Sequence, residues 1–255
     1  MVEWSHLERQ RLTGAMRYFM RYLTILGIGL LIGIVSQNKH TFPPDMQTYF
    51  KHSVWQVLTL TMEDGEPIEG TGSGCFITRG LLLTNAHVVK GAMEIRVRNH
   101  NRALEFDAVV IKYSEWDDLA LLRVHSGGYL PMTVPLGKFP AQGVDIYSAG
   151  YGLSKHISYQ VGAAQGIRFL DIYNRDFPSD YHASIPTIMG DSGSCVLTRD
   201  MEIVGVRNAI EAASTMSEMG DFIRHPVSHM ALILGPERIR AFLETKEHHI
   251  EEAEE

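Results

Sequence analysis

From residue 53 to residue 234 the chain is written as short runs of β-branched, aromatic and aliphatic residues, each closed off by Gly, Pro, Asn or Asp. That spacing suits an all-β barrel or sandwich and leaves little room for buried helices. Strands are predicted at SVWQVLTL (53–60), GCFIT (74–78), LLLTN (81–85), MEIRVRN (93–99), LEFDAVVIKY (104–113) and LALLRV (119–124). The Gly- and Pro-containing stretch SGGYLPMTVPLGKFPAQG then reads as a connector. A second set follows at VDIYSAGY (144–151), SYQVGAAQGIRFLD (158–171), DYHASI (180–185), SCVLT (194–198), EIVGVRNAI (202–210) and HMALIL (229–234). Two halves of six strands each are therefore expected, with the polar, Met-containing stretch 211–229 read as a long loop.

Helix signals are confined to the ends. Pro236 opens a segment in which Ile239, Phe242 and Leu243 form an apolar stripe at helical spacing, predicting one C-terminal α-helix packed on the second half. Near the N-terminus, residues 22–35 (YLTILGIGLLIGIV) are uncharged and follow Arg9, Arg11, Arg17 and Arg21, so positive charge precedes an apolar segment. The expectation is an N-terminal hydrophobic helix over 18–35 acting as an uncleaved signal anchor, with the N-terminus cytoplasmic and the remainder outside the cytoplasm. A cleaved signal with secretion, or a cytosolic helix docked on a partner, are the alternatives. The organisation expected is a 1–40 cytoplasmic segment and anchor, a 41–52 linker, a 53–248 folded domain with halves near 53–126 and 140–248, and a 249–255 charged tail.

A chain of 255 residues with a net charge of -7 has no basic surplus with which to neutralise phosphates, so no nucleic-acid partner is expected. The run GTGSG at 70–74 lacks the Lys-Ser or Lys-Thr of a nucleotide loop, and no cofactor is expected. The two cysteines, Cys75 and Cys195, have no zinc-ligand spacing, so no metal is expected either. They read as two buried thiols, with a bridge as the alternative.

Chemistry enters through the stretch MGDSGSCV (189–196), which sets Ser192 on a turn between glycines. A serine hydroxyl is a weak nucleophile near neutral pH and needs a base within hydrogen-bond reach, itself oriented by a third group. LLLTNAHVV places His87 just after an apolar strand, and SEWDDLALLRV places Asp117 and Asp118 just before another. Each alone is an ordinary strand-end residue. Together they give the chain order His, Asp, Ser, which is one of the known orders of the triad.

At these residues the sequence resembles the chymotrypsin-fold, trypsin-like serine peptidases, and among them the HtrA and glutamyl-endopeptidase branches. TNAHVV, DLALLRV and GDSGS are similar to that family's His, Asp and Ser motifs, and the likeness runs from about residue 50 to 244. GTGSGCFIT is similar to the strand preceding the His motif, and EIVGVRNAI to the wall of the specificity pocket. The resemblance implies two six-stranded antiparallel β-barrels, all-β apart from the terminal helices. It implies Ser192 as nucleophile, His87 as general base and acid, and Asp118 as the group that fixes the imidazole tautomer. The backbone N–H groups of Gly190 and Ser192 would form the oxyanion hole. Pro186, Thr187, Arg207, Asn208 and Ala209 would line the substrate pocket. Arg207 either points inward to read an acidic side chain or alternates outward; Thr187 and Ala209 otherwise leave a small or medium apolar residue as the preferred one before the cut. In digestive relatives the acid at the Asp191 position pairs with a newly cut N-terminal amine, but no Ile-Val-Gly-Gly-like activation sequence occurs here, so loop ordering is the expected control. No PDZ-like module is read after the last helix.

The expected function is a membrane-tethered serine endopeptidase taking protein or peptide substrates, with oligomers allowed. The alternatives are a regulatory or viral-type processing peptidase that cuts one partner, and a catalytically silent scaffold.

Overall fold

The computed structural model describes residues 42–152, 156–167, 180–216 and 222–245, and for 167, 209–216 and 222–230 the backbone alone. The apolar segment 18–35 and the tail 249–255 lie outside the described residues. Among the described residues no helix is long and apolar enough to cross a membrane.

Twelve antiparallel strands close into two barrels, as the two sets of runs predict. The first comprises β1 (Val54–Glu63), β2 (Glu66–Thr78), β3 (Leu81–Thr84), β4 (Glu94–Arg98), β5 (Glu105–Ser114) and β6 (Leu119–Val124), paired in the order β1-β2-β3-β6-β5-β4. The second comprises β7 (Asp145–Gly150), β8 (Ser158–Ile167), β9 (Tyr181–Ala183), β10 (Cys195–Leu197), β11 (Ile203–Met216) and β12 (Phe222–Leu234), paired β10-β11-β12-β9-β8-β7. Inward residues alternate along the strands and fill each barrel: Trp55, Val57, Phe76, Leu82, Val97 and Leu122 in the first, Ile146, Ile185, Val196, Val204 and Ile233 in the second.

Three local expectations change. The stretch 211–229 is not a loop over most of its length: β11 and β12 extend each other as a hairpin whose register runs from Val206↔Leu234 to Met216↔Phe222. The expected linker carries helix α1 (Pro44–Ser53), because Pro44 starts it and Met46 and Phe50 give it an apolar face that is fully buried. The rings of Phe42 and Phe50, 5.4 Å apart, join a cluster reaching Tyr147 and Tyr159 of the second barrel, while Tyr49 Oη donates to Thr133 O at 2.8 Å. Finally, the two cysteines are bonded rather than free, Cys75 on β2 to Cys195 on β10 with Cα atoms 6.0 Å apart, which ties one barrel to the other.

After β3 a short helix, α2 (Ala86–Val89), interrupts the first barrel. The C-terminal helix α3 (Pro236–Glu244) buries Ile239 and Phe242. It serves both halves. Arg238 bonds Asp180 at 2.8 Å and Asp117, before β6 of the first barrel, at 3.0 Å.

Candidate active site

The loop from β5 to β6 sets two adjacent acids in opposite directions. Asp117 accepts from Ser114 Oγ at 2.8 Å and faces Arg238. Asp118 has φ 50°, the left-handed region that Asp tolerates better than most residues, and this turn aims its carboxylate the other way. Both of its oxygens go to one residue. The His87 backbone N–H donates to Asp118 Oδ1 at 2.8 Å and His87 Nδ1 lies 2.7 Å from Asp118 Oδ2. Asn85 Nδ2 donates to the Asp118 carbonyl at 2.9 Å, fixing the turn from the β3 side. The acid side chain is 9% exposed and the imidazole 36%, so one is shielded and the other reachable. A carboxylate on Nδ1 selects the tautomer protonated there, which carries its lone pair on Nε2.

On the second barrel Ser192 stands in a turn held at every residue around it. Asp191 N–H donates to Ile188 O at 3.1 Å with Gly190 at φ 94°, the positive value that the third position of a type II turn requires. Gly193 N–H donates to Arg207 O and Arg207 N–H to Ser194 O, each at 2.9 Å. Gly193 has φ 86°, and a Cβ there would overlap the Ser73 carbonyl, so glycine is required twice over. The Ser192 hydroxyl donates to Asn208 O at 3.1 Å.

Ser73, in the middle of β2, reaches the same turn from the first barrel. Its N–H donates to Ser192 O at 2.9 Å and its hydroxyl to Gly190 O at 2.9 Å, while Tyr151 N–H donates to that hydroxyl at 3.0 Å. Thr84 Oγ1 donates to Ser73 O at 2.7 Å. No sequence motif assigns Ser73 or Asn85 a role. Their signal is positional: one lies inside the Gly-Ser-Gly of β2 and the other two residues before His87.

His87, Gly190 and Ser192 meet at one groove of about 580 Å³, together with Thr187 and Asn208 from the expected pocket set. The groove also takes Ile68, Thr71, Val88 and Lys90 from the first barrel and Ile188 and Met189 from the second. Pro186 is exposed and does not line it, and the side chain of Ala209 lies outside the described residues. Arg207 points inward, yet it neither faces the groove nor meets solvent. It is fully buried, with its guanidinium on Asp191 Oδ2 at 2.7 Å, Pro186 O at 2.7 Å and Gln160 Oε1 at 3.1 Å. Burial pushes the Arg207 pKa down and the Asp191 carboxylate pulls it back up.

Residues 72–206, more than half of the chain, match the trypsin-like peptidase domain. The chain is 29% identical to the periplasmic pH-dependent serine endoprotease DegQ of Escherichia coli (strain K12), over 60% of this chain and 34% of that protein. It is 31% identical to a probable periplasmic serine endoprotease DegP-like of Ectopseudomonas mendocina (strain ymp), over 66% of this chain and 35% of that protein. The chain thus spans about a third of the length of these curated relatives. In fold it is similar to the crystal structure of the Rv3671c protease from M. tuberculosis in its active form, with a TM-score of 0.61, 20% identity, and coverage of 78% of this chain and 82% of that one. With two closed barrels, three motifs in order and a match running from β2 into β11, the chain belongs to the trypsin-like peptidase domain family.

Proposed function

We propose that this chain is a serine endopeptidase in which Ser192, His87 and Asp118 form a triad. The observation that carries the reading is the double grip of His87 on Asp118, through N–H and Nδ1, beside a groove that also holds Ser192. The hydroxyl proton, directed at Asn208 O in the resting state, turns to His87 Nε2 as Ser192 Oγ attacks the scissile carbonyl. Charge then develops on the carbonyl oxygen, where the Gly190 and Ser192 N–H groups stabilise it; one such donor is worth on the order of 100 to 1000-fold in rate. His87 returns the proton to the leaving amine, the acyl-enzyme forms, and water repeats the sequence from the other side.

The leaving amine must sit against His87, so the wall beyond it, Ile68, Val88 and Lys90 with Met189 opposite, would receive residues after the cut. Thr187 suits a small or medium apolar residue before it. Asn208 serves through its carbonyl, and neither Pro186 nor Arg207 is assigned a direct substrate contact. The names of the two relatives are periplasmic, which supports a peptidase working outside the cytoplasm, tethered through 18–35 or released. Hydrolysis of casein by the full chain tests the reading: Ser192→Ala abolishes turnover and His87→Ala lowers it by about 10,000-fold. Casein left intact by the folded natural chain, or cut equally by the Ser192→Ala variant, would discard it.

A further inference from the structure

A cation without access to water is an unusual thing to find behind a reacting group. Arg207 and Asp191 are both 0% exposed in their side chains. Removing two charges from water is costly, and such pairs are often no more stabilising than apolar residues of the same volume. Among the described residues, Arg207 Nε has no hydrogen-bond partner, which raises that cost. The pair therefore needs a reason other than stability, and its connections supply one.

Each oxygen of Asp191 holds a backbone group around the Ser192 turn: Oδ1 accepts from Gly152 N–H and Oδ2 from Ile188 N–H, each at 3.1 Å, with Oδ2 also taking Arg207 Nη2 at 2.7 Å. Ile188 is the residue whose carbonyl closes the turn through Gly190. The same Nη2 fastens Pro186 O, so one nitrogen fixes both the carboxylate and the extended segment leading into the turn. The Arg207 backbone meanwhile pairs with Gly193 and Ser194 on the far side of Ser192.

Building on the peptidase reading above, we infer that Arg207 is a positioning residue for catalysis, an internal cation whose grip on Asp191 holds the Ile188–Ser192 turn with the Gly190 and Ser192 N–H groups aimed at one point. Binding of a substrate that spans the groove does not need that aim; stabilising an oxyanion does. The effect should fall on kcat and leave KM nearly unchanged.

The test uses the full chain and diisopropyl fluorophosphate, a small probe that makes a Ser Oγ–P bond with loss of fluoride. Three variants are compared for melting temperature and phosphorylation rate: Arg207→Met, Arg207→Lys, and Arg207→Met with Asp191→Asn. The double variant, which buries no unpaired charge, should melt near the natural chain yet be phosphorylated at least about 100-fold more slowly. The Lys variant should regain part of the rate, and casein turnover should fall in kcat with KM within about threefold. A double variant that is phosphorylated within about threefold of the natural rate, or that does not fold at all, assigns the pair to stability and overturns the inference. If the natural chain itself is not phosphorylated, the peptidase reading fails instead.

Discussion

Asp118 and Asp117 show how much one backbone angle decides. At φ 50° Asp118 turns away from its neighbour, one carboxylate going to His87 and the other to Arg238. Asp118→Asn keeps the shape but can offer its amide N–H to His87 Nδ1, selecting the tautomer without a lone pair on Nε2. Casein turnover should fall by about 10,000-fold while the melting temperature changes little; a loss within tenfold would contradict that role. Ser73→Ala strips the hydroxyl that spans Gly190 O and Tyr151 N–H in a fully buried position, so a destabilisation of about 1 to 3 kcal/mol is expected in urea titration, together with slower turnover. Short motifs single out His87, Asp118 and Ser192 as candidates, and the structure sets the first two in contact. No motif signals the buried pairing of Arg207: alternation says only that a residue faces in or out, and a register shift between Arg207 and Ala209 breaks even that rule.

At the level of elements, the strands that the sequence announced are those whose buried faces are written in Val, Ile, Leu and Phe. β6 is predicted at LALLRV, 119–124, and forms over Leu119–Val124. β2 is predicted only from Gly74 onward, since its first half, EPIEGTGS, is poor in β-branched residues and is held by pairing to β1 from Glu63↔Glu66 onward. The β11–β12 hairpin escaped for a related reason, its outer half carrying polar residues, Met and a proline that pattern alone assigns to a loop. The Cys75–Cys195 bond could not be read from spacing at all, because only the closed barrels bring β2 beside β10. It closes a loop with a sequence separation of 120, and replacing both residues by Ser should cost about 2 to 5 kcal/mol in urea unfolding. An unchanged midpoint would mean that packing between the barrels suffices.

Over the whole molecule, the barrels are joined by α1, α3, the disulfide and Ser73, so the site is assembled by contacts that unfolding of either half would break. Buried phenols make that assembly sensitive to alkali. Burial raises Tyr151 well above the ordinary tyrosine range and Tyr159 to about 12. A group whose folded pKa is raised gives its full stabilisation below the unfolded value near 10 and loses it as pH rises toward the folded one. The melting temperature should therefore hold up to about pH 10 and decline above it, with Tyr159→Phe flattening the decline; a profile that is level to pH 12 would contradict this. Whether Ser192 is the residue acylated is decided by intact-mass measurement and peptide mapping after exposure to a fluorophosphonate. One adduct per chain is expected, located at Ser192, absent in Ser192→Ala and formed far more slowly in His87→Ala. No adduct on the folded natural chain, or one that persists in Ser192→Ala, would contradict it.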